Sequence, residues 1–258
     1  MAIIDCFVFY DELDILEIRL NSLNPYVNRF VLCEMPWTHT LEAKRLYFNE
    51  NKERFKEFNI THLIAEDPFS FEWKVIGKHK YKSGLWKNEY YQREYLQHGI
   101  INCHPEDIIL LSDLDEIPNL ENYHYGSEGA FKQKMYYYYL NCFTNQRRWK
   151  GTIAIKKKHI GVLNSVRDER NNIPTIVQDG GWHFSHMGSI ERLKKRISIK
   201  VDTKFATKEN IDALKERRKN LIDPYARTDE KFTIEMPNGP KWLLENKDKY
   251  GEMFYGKI

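Results

Sequence analysis

Four cysteines in 258 residues, Cys6, Cys33, Cys103 and Cys142, stand too far apart for any metal-ligand pair or disulfide framework. Three of them fall in apolar runs, where a free thiol behaves as a small hydrophobe. No apolar run approaches the roughly 18 residues that a transmembrane helix needs. The N-terminal stretch Met1-Ala2-Ile3-Ile4-Asp5 has no basic segment leading into a long apolar one, so no signal peptide is expected and the reading is a soluble, cytoplasmic protein. An excess of one charge is missing too. Forty Lys and Arg oppose 37 Asp and Glu, a net charge of +3, which excludes the strongly basic stripe of a nucleic-acid binder. The basic runs at 156–158 and 192–196 read as solvated faces, and the mildly positive field suits an anionic ligand. The charged helices near the C-terminus leave a peripheral membrane contact open. Repeats, low-complexity tracts and linkers are absent, and one domain spanning 1–258 is expected.

Aromatic residues are plentiful: 16 Tyr, 14 Phe and 6 Trp make up 14% of the chain. Most such rings fill a core, but their flat faces and polar tips also suit sugar rings and nucleobases. Short apolar runs alternate with helical patterns through the first half. Residues 3–9, 29–34, 59–65 and 107–112 read as strands. Asp11 is placed to cap a helix carrying Leu13, Leu16, Leu20 and Leu23, which Asn24-Pro25 ends. Residues 49–58 and 85–99 read as further helices. Such strand–helix alternation implies a mostly parallel central sheet covered on both faces, with ligands at the carboxyl ends of its strands. Beyond residue 119 the texture changes. A Tyr-rich segment at 131–143 and strands at 149–155 and 180–185 lead into helices at 190–201 and 208–221, and 237–240 reads as a loop.

At the carboxyl end of the fourth strand stands Asp113-Leu114-Asp115-Glu116. Two carboxylates one residue apart attract a hard divalent cation, Mn²⁺ or Mg²⁺, which prefers oxygen ligands and keeps positions open for substrate phosphates. The metal would offset charge growing on a diphosphate leaving group. Asp115 is expected as the direct ligand, with Asp113 meeting the metal through water or meeting a ribose. A helix-start cluster is the plainer reading, but three acids in four positions exceed what a cap requires. An Asp-x-Asp after a strand also marks phosphohydrolases of the haloacid-dehalogenase type. There the motif sits on the first strand and is followed by Thr or Val two places on, a place Ile117 holds here.

Several blocks together carry a resemblance. Ile4-Asp5-Cys6-Phe7 with Glu12 to Leu20, Trp86 with Glu89, Gln92 and Arg93, Leu111 to Pro118, and Gly180-Gly181-Trp182-His183-Phe184-Ser185 resemble glycosyltransferase family 17. This is the family of the beta-1,4-mannosyl-glycoprotein 4-beta-N-acetylglucosaminyltransferases, and the blocks run in its order from about residue 3 to residue 190. The resemblance implies a GT-A type fold, with 1–118 as a nucleotide-binding half and 119–258 as an acceptor half with C-terminal helices. It implies inverting transfer of N-acetylglucosamine from its UDP donor to a glycan or glycoconjugate hydroxyl, with a divalent metal. Animal members are membrane-anchored, and this chain looks like a soluble microbial or viral relative. A phosphohydrolase and a non-catalytic carbohydrate-binding protein are the competing classes.

Inverting transfer needs a base for the acceptor proton. Asp179, before the Gly-Gly turn, is the first choice and Glu116, next to the metal, the second. His183 is a candidate third metal ligand or a donor to the diphosphate, and Trp182 a candidate platform for a sugar face. Arg93 could grip phosphate or pair with Glu89 or Asp113. Glu12 and Arg19 fall near the nucleotide by analogy of fold alone.

Overall fold

The structure is a computed structural model describing residues 1–67, 85–121, 123–200, 202–228 and 231–256, without the side chains of 146–148. Three β–α passes open the chain. β1 (Ile3–Val8) leads through α1 (Leu13–Leu23) to β2 (Arg29–Glu34). α2 (Tyr47–Asn51), extended by a 3₁₀ turn at Lys52–Phe55, then leads to β3 (Ile60–Ile64). α3 (Trp86–Tyr95) and α4 (Gln97–Ile100) precede β4 (Ile108–Asp113). After β4 come β5 (Glu116–Pro118), β6 (Gly129–Tyr137), β7 (Cys142–Lys156), α5 (Leu163–Asp168), β8 (Ile176–Val177) and β9 (Gly181–Ser185). α6 (Ile190–Ser198), α7 (Lys208–Lys219), β10 (Thr233–Ile234) and α8 (Lys241–Glu245) complete the order. Among the described residues the strands form one sheet in the order β3-β2-β1-β4-β7-β6-β9-β5, with β8 beside β6 and β10 beside β7.

The expectation of a mostly parallel sheet holds for β3, β2, β1 and β4. It fails beyond them, because β7 runs against both β4 and β6, and β5 runs against β9. The reason is local. The Tyr-rich segment does not continue to 143 as one strand: Tyr138 takes φ +65° and a tight connection turns the chain back. Two strands joined so closely pair antiparallel. β6 and β9 nonetheless point the same way as β4, so their carboxyl ends share its edge of the sheet. The helix expected over 85–99 is interrupted at Leu96 into α3 and α4, and the one over 49–58 shortens into α2 and its 3₁₀ turn. α6 ends at Ser198; Val201, where it was expected to end, lies outside the described residues.

Apolar residues on the two faces of the parallel strands build separate cores. Ile3, Phe7, Leu32 and Leu110 pack with α1 and α8, and Ile4, Cys6, Val31 and Leu111 pack with Tyr91, Leu96, Ile100 and Leu163 from α3, α4 and α5. A third cluster joins Met135, Tyr137 and Cys142 to Leu193 and Ile197 of α6 and Leu214 of α7. Asp5 interrupts the first face, and the helix above supplies its partner. Arg19 of α1 donates to both Asp5 oxygens at 2.8 and 2.7 Å, to Ser112 Oγ at 2.6 Å, and to the carbonyls of Asp113, Leu114 and Glu116 at 3.0–3.1 Å. Both side chains of the Asp5–Arg19 pair are fully shielded from water. This corrects the assignment of Arg19 to the nucleotide site: it lies beneath the acidic turn and holds its backbone in shape.

Removing one member of a buried ion pair strands the other and costs about 3–5 kcal/mol. Arg19→Met is expected to lose at least that much in denaturant unfolding. The double variant Arg19→Met with Asp5→Leu is expected to recover part of the loss.

Candidate active site

The acidic turn is built by its own third carboxylate. β4 ends at Asp113, whose backbone N–H donates to Glu116 Oε2 at 2.8 Å, and the Phe184 N–H donates to the Asp115 carbonyl at 2.8 Å, tying the turn to β9. Glu116 Oε1 accepts from Trp149 Nε1 and from Arg167, both at 2.6 Å, and the residue is wholly buried. With these commitments Glu116 faces the interior and not the cleft, so it does not fit the role of base.

Asp113 and Asp115 are treated differently. Asp113 sits between two guanidinium groups, with Arg167 at 2.9 Å and Arg93 at 3.5 Å. Burial acts to raise its pKa, but Arg167, Arg93 and Arg170 outweigh it and hold the carboxyl well below the usual range. Arg93 also donates to Glu89 at 2.8 Å and to Asn164 at 3.1 Å, so its charge goes to carboxylates of the protein. Asp115 faces His183, whose Nε2 lies 3.4 Å from its Oδ2. Burial disfavours the charged imidazole, yet Asp115, with Glu116 and Asp113, raises the His183 pKa above its ordinary value. His183 Nδ1 is buried without a hydrogen-bond partner among the described residues.

Above this turn opens a cleft of about 380 Å³ at the carboxyl ends of β1, β4, β6 and β9. Glu12 lines it and pairs with Arg196 of α6 at 2.8 Å. The helix cap expected of Asp11 is absent. The first turn of α1 has no side-chain cap, and Asp11 instead pairs with Arg192 at 2.6 Å. Trp86, Glu89, Gln92 and Arg93 of α3 form one wall. Gln92 fixes α3 there by donating to the carbonyls of Phe9 and Cys33 at the ends of β1 and β2. Facing them are Tyr137, His186, Arg196, Lys200, Tyr225 and Arg227. The basic run at 192–196 is therefore not merely a solvated face, since Arg192 and Arg196 fasten α6 to the loop after β1.

Two further assignments need correction. Asp179 is exposed, with φ +47°, at the amino end of β9. The cleft lies at the opposite end, roughly 13 Å away at the ~3.3 Å rise of a strand residue. Its left-handed backbone serves the turn that brings in Gly181, where φ is +118° and a Cβ would lie 2.2 Å from the Ile117 carbonyl. Trp182 alternates away from His183 and Ser185. It donates to Asn238 at 2.8 Å and lines a separate cavity with Pro118 and Trp242. Neither residue reaches the cleft. Sequence reasoning in turn missed Arg167, Asn164, Trp149, Lys200, Tyr225 and Arg227. A basic residue in a short polar helix such as α5 carries no local sign that it will meet an acidic turn 54 positions away.

Among the described residues no three His, Cys, Asp or Glu side chains gather as a ready-made metal site. The donors that do meet in the cleft are Asp115 and His183. The class so defined is an α/β enzyme with a polar, aromatic-lined cleft at the carboxyl edge of a large sheet, an architecture consistent with a glycosyltransferase. The chain belongs to glycosyltransferase family 17, whose sequence model matches residues 1–204. It is accordingly a glycosyltransferase, acting on a sugar donor and an acceptor, and the phosphohydrolase and binding-protein alternatives fall away. No curated protein matches the chain significantly. No helix among the described residues is long and apolar enough to cross a membrane.

Arg167 neutralises two carboxylates at once, with its own side chain 4% exposed. Arg167→Met is expected to cost about 3–5 kcal/mol at neutral pH. Asp113 has a depressed pKa in the folded state, so its pairing contributes above the unfolded carboxylate value and is lost as pH falls. The difference between wild type and variant in denaturant unfolding is therefore expected to shrink below about pH 4.

Proposed function

We propose that this cleft transfers a sugar, N-acetylglucosamine in the first instance, from a UDP donor to a glycan hydroxyl with inversion, on a GT-A type fold spanning 1–258. The observation that carries the reading is the Asp113–Asp115 turn at the carboxyl end of β4, with Asp115 beside His183 in a cleft made largely by the family-matched residues. Nucleotide ligands of parallel α/β sheets bind at that edge.

A divalent cation fits the donor set as an incomplete site. Mg²⁺ and Mn²⁺ are commonly held by one or two protein groups while substrate phosphates and water fill the remaining positions. Asp115 and His183 would supply those groups, and His183 Nδ1 is buried with no hydrogen-bond partner among the described residues. The cation would supply charge compensation on the leaving diphosphate. Asp113, clamped by Arg93 and Arg167, supports the turn from behind and is not proposed as a direct ligand. With Asp179 and Glu116 outside the cleft, the acceptor's proton has Glu89 and Asp202 as candidate acceptors, both lining it apart from the acidic turn.

Calorimetric titration of UDP with Mn²⁺ tests the reading. Wild type is expected to bind only with metal present, and Asp115→Ala to lose affinity by roughly a hundredfold or more, since weakening even an outer partner of a metal ligand costs about 10–100-fold. Binding that ignores both chelator and the substitution would overturn the metal site. Binding of another nucleotide in place of UDP would reassign the donor.

A further inference from the structure

The wall opposite α3 carries three cations, and one of them forms no ion pair among the described residues. Arg196 pairs with Glu12 at 2.8 Å and Arg227 with Asp223 at 2.6 Å. Lys200 forms no ion pair with any described carboxylate; its Nζ lies 3.0 Å from the Tyr225 hydroxyl. The Lys200 ammonium and the Arg227 guanidinium both lie against the Tyr225 ring, at 4.5 and 4.7 Å from its centroid.

A hydrogen-bonded row aims this lysine. An ammonium can only donate, so the Tyr225 hydroxyl accepts from Lys200 and donates to His186 Nε2 at 2.7 Å. His186 Nδ1–H then reaches Ser185 Oγ at 2.7 Å. Burial first, and then Lys200, Arg196 and Arg227, push the His186 pKa well below its ordinary value, so the imidazole is neutral and adds no charge. His186 holds φ +59° to take part, a conformation uncommon for a residue with a side chain. The row leaves one positive charge facing the cleft beside two others, and like charges brought together out of water favour an anion between them.

We infer that Lys200, flanked by Arg196 and Arg227 and aimed by Tyr225, is the seat of the donor's diphosphate. The inference rests on the reading of the cleft as a nucleotide-sugar site. It adds that the segment beyond residue 204, outside the family match, completes that site through Tyr225 and Arg227. The diphosphate is favoured over a charged acceptor because Arg196 joins this wall to Glu12, in the loop after β1, and against its burial Glu12 and then Asp115 of the acidic turn raise the Arg196 pKa. The seat thus adjoins the side of the cleft where the leaving group is proposed to lie.

The experiment titrates UDP, uridine and inorganic pyrophosphate, with Mn²⁺, into wild type, Lys200→Met and Lys200→Arg, with thermal unfolding of each. Lys200→Met is expected to weaken UDP and pyrophosphate by roughly ten- to a hundredfold, the worth of a hydrogen bond to a charged group. Lys200→Arg is expected to restore most of it. Uridine affinity and thermal midpoint are expected to stay level. Burial first, and then Arg227 and Arg196, lower the Lys200 pKa to about 8 against the opposing pull of Asp202 and Glu89, with Tyr225 and neutral His186 beside it. Wild-type UDP affinity is therefore expected to fall as pH rises past about 8, and that of Lys200→Arg to hold. If wild type and Lys200→Met bind UDP equally, the seat is wrong and the function proposed above stands. If pyrophosphate binds through Lys200 while UDP binds no better, the seat stands and the nucleotide reading fails. Binding of neither overturns both.

Discussion

Arg19 is the constraint on which the cleft depends. The acidic turn places carbonyls of Asp113, Leu114 and Glu116 in the interior, and backbone oxygens left unpaired there are costly. One guanidinium satisfies all three while pairing with Asp5 on the neighbouring strand. Its planar, permanently charged fork suits this task in a way that a lysine ammonium would not. The turn is consequently shaped from below, by a residue that no ligand touches, and its carboxylates are left to face upward. α1 is thus more than a cover for the apolar face of the sheet; its second turn delivers the group that makes the turn foldable.

Charge is distributed over the site by a division of labour. Arg93 and Arg167 are committed to Asp113, and Arg167 also to Glu116, so the acidic turn keeps one carboxylate, Asp115, whose ion-pair partner among the described residues is His183. Across the cleft the balance reverses, and Lys200 is the group with no ion pair among the described residues. One anionic and one cationic surplus across the cleft match the metal and the diphosphate proposed for it.

The sequence made the parallel half of the fold and the acidic turn legible because their signals are local. Residues 3–9, 29–34 and 107–112 are continuous apolar runs, and the turn follows the last of them directly. What was not legible depends on distance in the chain. Arg167 and Lys200 look like ordinary surface cations until the fold brings them to Glu116 and Tyr225. The hairpin between β6 and β7 was hidden because Tyr138, a good strand former, takes a left-handed turn that its residue type does not announce. Asp179 and Trp182 were misplaced for a simpler reason. A motif read as a unit ignores that a strand has two ends and two faces, and only His183 and Ser185 lie at the right end on the right face.

The attachment of α6 has a bearing on how the cleft responds to its surroundings. Its apolar side, Leu193 and Ile197, is rooted in the β6–β7 half of the molecule. Its grip on the other half is ionic, through Arg192 with Asp11, Arg196 with Glu12 and the more exposed Lys195 with Glu42. Ions in solution screen such bonds over about 8 Å at physiological strength, least where they are buried. The buried Asp5–Arg19 pair beneath the cleft is therefore screened less than the exposed Lys195–Glu42 bond of its roof. Raised ionic strength is thus expected to reach the outer fastening of α6 before it reaches the turn at the carboxyl edge of the sheet.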